Sequence, residues 1–399
     1  MRTQDSSTRF GGSLMPANHS LRELALFFLR LGTTAFGGPA AHIAIMEDEL
    51  VRRRQWLSGE KFLDLLGASN LIPGPSSSEL AIHIGYLRAG WKGLLVAGIC
   101  FIFPAALIVG ILAWAYVRYG SLPVTSALLY GVKPVVIAVI VQALWGLGRT
   151  AIKTAWLAIV GIASLILAFL GLHPLPLLLI AGVVVCLTQM RPSQFRSVHL
   201  PLPLLSSFTP AALLGTAAAF SLPLLFLLFL KVGALMFGSG YVLLAFLRAD
   251  FVVHHAWLTD AQLLDAVAVG QLTPGPVFTT ATFIGYLLGG IPGAVFATVG
   301  IFLPAFVLVA ISGPLIPRIR TSKMAAAFLD GVNVASLALM AAVTWQLGRT
   351  SLVDGVTIVL AIISLAILLR LRWNSIWLLL IGAAVGMVVG INGHRFWWL

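Results

Sequence analysis

The chain has 399 residues, of which 59% are hydrophobic and 10% charged, and its mean hydropathy is +1.01. A soluble globular domain carries about a quarter charged residues, so this composition excludes a cytosolic enzyme, a secreted protein and a nucleic-acid-binding protein. The net charge of +12 is therefore interpreted as a signal of membrane topology. Cys100 and Cys186 both lie in apolar runs and predict neither a disulfide framework nor a thiolate metal site.

The polar stretch of residues 1–23 predicts an N-terminal tail. The apolar run that follows it lacks a small-residue cleavage site, so we expect a retained membrane helix rather than a signal peptide. Further runs are long enough to cross about 30 Å of hydrocarbon. The predicted spans are 24–38, 93–117, 122–147, 154–171 and 174–190, then 222–238, 291–314, 324–347, 353–370 and 374–391.

Two pairs of short apolar runs interrupt these spans. Residues 62–72 and 76–86 flank Pro73-Gly74-Pro75, and residues 263–273 and 277–287 flank Pro274-Gly275-Pro276. Each run is too short to cross a membrane alone, and Pro-Gly-Pro forces the backbone out of a helix. Because broken backbone at membrane depth must be buried or line a cavity, each pair predicts a re-entrant helical hairpin. The alternative is a single kinked crossing.

The two halves of the chain repeat each other at an offset of 200 or 201 residues. The matched pairs are Phe36-Gly37 with Phe237-Gly238, Trp56-Leu57 with Trp257-Leu258, Asp64 with Asp265, Pro73-Gly74-Pro75 with Pro274-Gly275-Pro276, Gly85-Tyr86 with Gly285-Tyr286, and Trp145 to Thr150 with Trp345 to Thr350. This repetition predicts a first repeat over 24–190, a linker rich in Pro and Ser over 191–221, and a second repeat over 222–399.

The distribution of Lys and Arg predicts opposite insertion of the two repeats. In the first half, one side holds six of these residues and the other holds one; the equivalent loops of the second half hold two and five. The first-half residues are Arg88, Lys92, Arg149, Lys153, Arg191 and Arg196 against Arg118; the second-half residues are Arg349 and Arg395 against Arg318, Arg320, Lys323, Arg370 and Arg372. By the positive-inside rule the repeats are inverted. The sequence thus predicts an all-α polytopic membrane protein with two inverted-topology repeats, each of about five transmembrane helices plus a re-entrant Pro-Gly-Pro hairpin.

Two cations lie at equivalent positions in the first span of each repeat. Arg30 and Lys231 are 201 residues apart, near the middle of their spans. Ionisable groups at this depth are expensive and are functional candidates by default. If the repeats are inverted, we expect the two cations to converge near the midplane on an anion. The alternative is that they reach an interface or pair with an acid such as Asp64 or Asp265.

Backbone donors near the Pro-Gly-Pro tips extend this candidate anion site. Ser76 and Ser77 follow Gly74 at a predicted helix N-terminus, where N–H groups carry positive partial charge. Glycines that interrupt the first spans allow backbone donors to approach a ligand closely. The substrate-binding candidates are Arg30, Lys231, Gly37, Gly38, Gly238, Ser239, Gly74, Ser76, Ser77, Gly275, Asn70 and Gln271. For the glycines, tight helix packing is an equal alternative.

Four further ionisable groups are candidates for proton coupling or ion pairing: Glu79, Asp64, Asp265 and Lys133. Glu79 is replaced by threonine in the second repeat and Lys133 by Asn333, so both positions are asymmetric. A carboxyl in a low-dielectric site is a suitable proton carrier. The alternative for Glu79 is an ion pair with Arg30 or Arg88.

The chain contains no nucleotide-binding P-loop, no HExxH motif and no Cys/His cluster at metal spacing. Gly238-Ser239-Gly240 suggests a serine nucleophile, but its counterpart is Gly38, which favours a backbone role. We therefore expect no enzyme, no catalytic residue, no metal and no cofactor, and any transport to be secondary.

The duplicated pattern of Phe-Gly-Gly, Trp-Leu, Asp, Pro-Gly-Pro and Gly-Tyr resembles the bacterial chromate ion transporter family in its long-chain, two-domain form, over residues 25–391. The resemblance implies a multi-pass inner-membrane protein that exports chromate from the cytoplasm, is driven chemiosmotically and confers chromate resistance. The second copy departs from the first at Ser239, at Val277-Phe278-Thr279 and at the position of Glu79. These departures predict that the two repeats have different roles in transport.

Chromate is a tetrahedral dianion, which midplane cations with hydroxyl and backbone donors would suit. Sulfate has nearly the same size and charge, so a sulfate or other oxyanion transporter stays open. A membrane sensor or scaffold that transports nothing is the alternative from another class. The expected partners are this anion and the lipid bilayer, with no nucleic acid; a homodimer stays open.

Overall fold

The computed structural model describes residues 17–120, 122–189, 219–236, 242–312, 322–371 and 373–396, which form fourteen α-helices and no strand. The helices are α1 (Ala17–Thr34), α2 (Gly38–Glu47), α3 (Gly59–Ser69), α4 (Ser76–Tyr119), α5 (Pro123–Ala151), α6 (Ala155–Phe169), α7 (Pro174–Gln189), α8 (Leu222–Leu235), α9 (Leu243–Leu247), α10 (Asp260–Leu272), α11 (Thr280–Ser312), α12 (Lys323–Ser351), α13 (Gly355–Leu371) and α14 (Ser375–Phe396). A π-helical turn follows α2 at Asp48–Arg53 and α9 at Arg248–His254, and a 3-10 turn, Val277–Thr279, precedes α11. The predicted all-α class is confirmed.

The outer faces of α4 and α11 are apolar over the thickness of a membrane. On α4 the exposed residues are Trp91, Leu95, Ile99, Phe103, Leu107 and Ile111; on α11 they are Ile291, Val295, Val299, Leu303, Val307 and Ile311. Each stripe extends over twenty residue steps of helix, which is about 30 Å. Four helical segments are long and apolar enough to cross a bilayer: 76–119, 123–151, 277–312 and 323–351. Five shorter apolar helices accompany them, so the chain is a multi-pass membrane protein.

The first helices of the two repeats bury the same face. In α1 the buried residues Leu24, Phe27, Phe28 and Leu31 follow the helical spacing of a one-sided apolar stripe. In α8 the buried residues are Leu225, Leu228, Phe229 and Val232, each 201 positions later. A glycine ends each stripe: Gly32 lies against the Phe101 carbonyl of α4, and Gly233 against the Ile301 carbonyl of α11.

Helices α4 and α11 are each broken at the same place. Gly90 has φ 57° and ψ −144°, and Gly290 has φ 61° and ψ −149°, a conformation that residues with a Cβ avoid. On either side of the break the two arms touch: a Cβ on Gly85 would lie 2.3 Å from the Gly93 carbonyl oxygen, and the same is true of Gly285 and Gly293. A short arm thus follows each Pro-Gly-Pro segment and packs closely on the long arm after it. Re-entry of this region into a membrane stays a prediction.

The repeats interlock through α5 and α12, which pack against each other and run antiparallel. Lys153, after the end of α5, pairs with Asp330 in the second turn of α12 at 2.7 Å, and Tyr130 near the start of α5 donates to Asp354 after the end of α12. Each of these helices also packs on the last helix of the other repeat, α5 on α14 and α12 on α7. Antiparallel equivalent helices are what inverted repeats require. Their opposite insertion across a bilayer stays a prediction.

Candidate functional site

The two Pro-Gly-Pro loops make reciprocal contacts between the repeats. The Gly74 N–H donates to the Met236 carbonyl, at the end of α8, at 2.7 Å, and the Gly275 N–H donates to the Ala35 carbonyl, at the end of α1, at 2.9 Å. Both glycines have positive φ, 140° and 86°. Each loop therefore caps the broken first helix of the other repeat. Neither repeat forms this region alone.

Gly37 and Gly38 form the turn between α1 and α2. Their φ values of 107° and 72° lie in the region that favours glycine. A Cβ on Gly38 would lie 3.9 Å from Val277, directly after the second Pro-Gly-Pro loop. The predicted break of the first span is therefore present and lies beside the loop of the other repeat. Gly238 and Ser239 lie outside the described residues.

The start of α4 carries buried polar groups beside the first loop. Ser76 is half-buried, and the Ser77 hydroxyl lies 3.4 Å from Nδ1 of His42, whose Nε2 lies 3.2 Å from the Ala35 carbonyl. The next residue, Ser78, is fully buried with no hydrogen-bond partner on its hydroxyl in the described part of the chain. Burial without a partner is costly for such a group, so the Ser78 hydroxyl is a candidate to bind a ligand or water.

Glu79 lies directly behind the first loop. It is 0% exposed, and neither carboxylate oxygen has a hydrogen-bond partner among the described residues. A Cβ on Gly74 would lie 2.3 Å from its Oε1, so the carboxyl touches the loop backbone. Within the described residues no ion pair joins Glu79 to Arg30 or Arg88; Arg88 instead pairs with Glu23 at 3.4 Å. This placement favours the proton-carrier interpretation over the ion-pair alternative.

Asn70 and Gln271, the paired amides before each loop, have different surroundings. Asn70 ends α3 and is exposed, whereas Gln271 is 8% exposed and its Nε2 has no hydrogen-bond partner in the described structure. An unpaired buried amide donor beside a Pro-Gly-Pro loop is a suitable anion ligand. The amide of the second repeat therefore has the better placement for the predicted role.

Lys231 forms an ion pair with an acid that sequence reasoning missed. Its Nζ lies 2.6 Å from Oδ1 of Asp250, in the π-helical turn after α9, and Nε2 of His173 lies 3.3 Å from the same oxygen. Asp250 is 2% exposed and its Oδ2 has no hydrogen-bond partner within the described ranges. Burial raises the pKa of Asp250, but hydrogen bonds and charge from His173 and Lys231 outweigh it, so the pKa lies below its ordinary value.

The repeat alone does not predict this pair. Asp250 is the counterpart of Glu49, 201 residues earlier, but Glu49 pairs with Arg54 at 2.8 Å and Arg53 at 3.9 Å rather than with Arg30. Arg30 itself is exposed on α1. The two cavities described for the structure are lined by neither Arg30 nor Lys231. Their convergence on one anion stays a prediction.

The structure brings Lys133 and Asp265 together. Nζ of Lys133 on α5 lies 2.9 Å from Oδ1 of Asp265 on α10, and the Tyr116 hydroxyl donates to Oδ2 at 2.9 Å. The short contact between Nζ and Oδ1 is an ion pair across the two repeats. Asp64, the counterpart of Asp265, is half-buried on α3. The two repeats therefore use this position differently.

Among the described residues, no three His, Cys, Asp or Glu side chains are grouped so as to hold a metal ion. The two cysteines are both free thiols.

Comparison with known proteins identifies the family. The family model described as chromate transporter matches twice, over residues 22–187 and 224–387. The chromate transport protein of Cupriavidus metallidurans is 34% identical, over 96% of this chain and 97% of that protein. The probable chromate transport protein of Synechococcus elongatus is 35% identical over 87% of this chain and 89% of its own, and the chromate transport protein of Pseudomonas aeruginosa is 31% identical over 90% and 89%. No solved structure matches. With both repeats matched, the chain belongs to the chromate transporter family.

Proposed function

We propose that this protein is a secondary membrane transporter that exports chromate from the cytoplasm and so confers chromate resistance. Its family supports this, since relatives named chromate transport protein align with most of the chain. The reciprocal docking of the two Pro-Gly-Pro loops is the observation that carries the proposal. A site assembled from broken helices of two repeats is typical of secondary transporters.

The anion is bound near the midplane, where the loops meet the ends of α1 and α8. Backbone donors around Gly37, Gly38 and the start of α4 supply part of the site, and the unpaired amide of Gln271 another part. Lys231 supplies positive charge from α8, held in place by Asp250. The proposal includes opposite insertion of the repeats, for which the antiparallel packing of α5 on α12 is the support.

Insertion is tested by labelling in a cysteine-free background, with Cys100 and Cys186 replaced. Lys153 and Val353 are exposed at equivalent positions after α5 and α12. Lys153→Cys and Val353→Cys should react with a membrane-impermeant maleimide from opposite sides of the membrane. Labelling of both from one side would overturn the inverted arrangement.

Transport is tested with purified protein in liposomes loaded with chromate. We expect uptake of labelled chromate by counterflow, and we expect a strain lacking other efflux systems to gain chromate resistance. Sulfate tests the second candidate, because its shape and charge match those of chromate. Counterflow with sulfate alone would assign the protein to sulfate, and counterflow with neither anion would favour a sensor or scaffold.

The proposal assigns no catalytic residue and no cofactor, and places the protein in the bacterial inner membrane. Fractionation of the cell envelope checks the location. The mass of the purified protein in detergent gives its oligomeric state, and the state to be tested is a homodimer.

A further inference from the structure

A cavity of about 320 Å³ lies where the end of α4, the start of α5 and the end of α12 meet. It is lined by Tyr116, Gly120, Ser126, Leu129, Tyr130, Lys133, Asp265, Thr350, Ser351 and Val353. The residues come from both repeats: most lie on or next to α5 and α12, the pair of helices that runs antiparallel between the repeats, and the others lie at the end of α4 and on α10. This cavity is separate from the reciprocal loop contacts described above.

One lining group is a buried hydroxyl without a partner and another is an ammonium with spare donors, and together they point to a ligand. Ser351 is 4% exposed, yet its hydroxyl has no hydrogen-bond partner in the described part of the chain. Lys133 uses one donor toward Oδ1 of Asp265, at 2.9 Å, and about a fifth of its side chain is exposed (21%). The ammonium therefore has donors to spare, and a buried hydroxyl without a partner lies in the same cavity.

The charges around Asp265 are few. Of the described elements packed on α10, α5 faces this carboxyl with Lys133 and α4 with the Tyr116 hydroxyl. The π-helical turn Arg248–His254 brings Arg248, which pairs with Asp260 at the start of α10. The 3-10 turn Val277–Thr279, α11, α12 and α14 bring no charged side chain within ion-pair distance of Asp265. Tyr130 is the other titratable lining residue, and its hydroxyl already donates to Asp354. The ammonium and carboxylate thus cancel each other, and an anion approaching the cavity meets a neutral pair.

We propose that this cavity binds a tetrahedral oxyanion on Lys133 and Ser351, and that Asp265 takes up one proton as the anion enters. A carboxylate and an oxyanion repel each other when they share one ammonium in a low-dielectric site. A proton from the water-filled mouth adds to Asp265, which frees Lys133 for the anion and gives the carboxyl a donor of its own. On release the proton returns to water and the ion pair forms again.

This inference rests on the proposed function, because it describes a site for the same class of substrate. It has a consequence for transport: a dianion that moves with one proton carries one negative charge fewer across the membrane. It also accounts for the asymmetry of the repeats, since Asn333 replaces Lys133 at the equivalent position of α12. An oxyanion held by this ammonium has no charged counterpart at that position.

The test is titration calorimetry of the purified full chain with chromate, and separately with sulfate, in two buffers of different ionisation enthalpy. The difference in heat counts protons, and we expect about one proton taken up per anion by the unmodified protein. Asp265→Asn should bind with no proton uptake and no pH dependence. Lys133→Gln should weaken this proton-linked binding by at least about tenfold, as expected for loss of a charge-assisted contact, and should leave binding at the Pro-Gly-Pro loops unchanged.

Folding is controlled separately, since each single variant leaves a charged or polar partner behind. The double variant Lys133→Gln/Asp265→Asn removes both charges and should melt close to the unmodified protein, with the affinity still lost. Lys153→Gln is the control, because it breaks another Lys–Asp ion pair of α5, the more exposed one with Asp330 of α12, away from the cavity. It should retain both affinity and proton uptake.

Two failures are distinguishable. If the unmodified protein transports neither anion, the proposed function is wrong. If it transports chromate, but the double variant binds the anion with unchanged affinity and takes up the same number of protons, the cavity is not the site and Lys133–Asp265 is a structural ion pair.

Discussion

The Pro-Gly-Pro segments of the two repeats each contain a glycine with positive φ whose N–H donates to the other repeat, but the side chains around them differ. In the first repeat α3 packs mainly on α4 and ends at the exposed Asn70, whereas in the second repeat α10 is buried from Leu263 to Gln271 and packs on α5 and α12 as well as on α11. Glycine and proline fix the loop conformation in both copies, while the side chains around the loops have diverged. Backbone geometry is thus the shared part of the site, and packing and charge distinguish its two halves.

The largest expected effect on stability comes from adding a methyl group to the second Pro-Gly-Pro loop, at Gly275. A Cβ on Gly275 would lie 2.6 Å from the Ala105 Cβ and 3.0 Å from the Gly32 carbonyl oxygen, both on rigid helices. Its φ of 86° adds strain for any residue but glycine. We expect Gly275→Ala to lower the free energy of unfolding by about 3 kcal/mol or to prevent folding, measured by thermal unfolding in detergent.

Gly74→Ala is the matched variant in the first repeat. There the obstructing atom is Oε1 of Glu79, at 2.3 Å, which belongs to the end of a side chain that can move. We expect a smaller loss than for Gly275→Ala. Equal melting temperatures for the two variants would contradict the argument that the second loop is the more tightly packed.

The next effect concerns the ion pairs of two acids at equivalent positions, Asp250 with Lys231 and Glu49 with Arg54. Asp250 is 2% exposed, while the side chain of Glu49 is 22% exposed. Removing the partner of a buried charge costs more than breaking an exposed pair. Because His173 still contacts Asp250, we expect Lys231→Gln to cost about 2 kcal/mol, and Arg54→Gln less than about 1 kcal/mol.

The double variant Lys231→Gln/Asp250→Asn separates folding from transport. It removes both charges, so stability should recover. If Lys231 also binds the anion, the recovered protein will not transport chromate in liposomes. Recovered transport would make Lys231 a structural residue.

The pH dependence of this pair has a definite sign. The pKa of Asp250 is below its ordinary value, so the stability it contributes is present above about pH 4 and is lost as the pH falls through the lower folded-state value. Thermal unfolding between about pH 3 and pH 7 should show an acid loss of stability that Asp250→Asn lacks.

The sequence predicted most of the backbone because glycine and proline act locally. The repeat register, the loops at Gly74 and Gly275, and the break after α1 are all properties of short segments. The partners of charged side chains were harder to predict from the sequence. Asp250 and His173, for example, are 77 residues apart in the chain and come into contact only when it is folded. For Lys231, sequence reasoning considered Asp64 or Asp265 as the acid, because nothing in a single sequence shows which carboxylate a packed helix will bring within reach.

A smaller effect on stability, but a clear one on pH dependence, is expected at Glu79. The carboxyl is fully buried with no hydrogen-bond partner in the described structure, and its counterpart in the second repeat is threonine. Glutamine has the same shape, so Glu79→Gln should change the free energy of unfolding by less than about 1 kcal/mol. If Glu79 is a proton-linked gate, chromate transport by this variant persists but loses its pH dependence. Unchanged pH dependence in well-folded protein would end the gating hypothesis.

The smallest effect on stability is expected at Arg30, which tests the two halves of the predicted cation pair against each other. Lys231 is held by Asp250, whereas Arg30 is exposed on α1, so Arg30→Gln should shift the free energy of unfolding by no more than about 0.5 kcal/mol. A cation on a membrane helix is held by substrate, water or a lipid headgroup.

If the substrate holds Arg30, Arg30→Gln abolishes chromate counterflow at an unchanged melting temperature. Arg30→Lys should also be impaired, because an ammonium lacks the planar fork that binds two oxygens of an oxyanion. If a headgroup holds it, both variants transport normally, and the chromate site then belongs to the charges that the second repeat supplies.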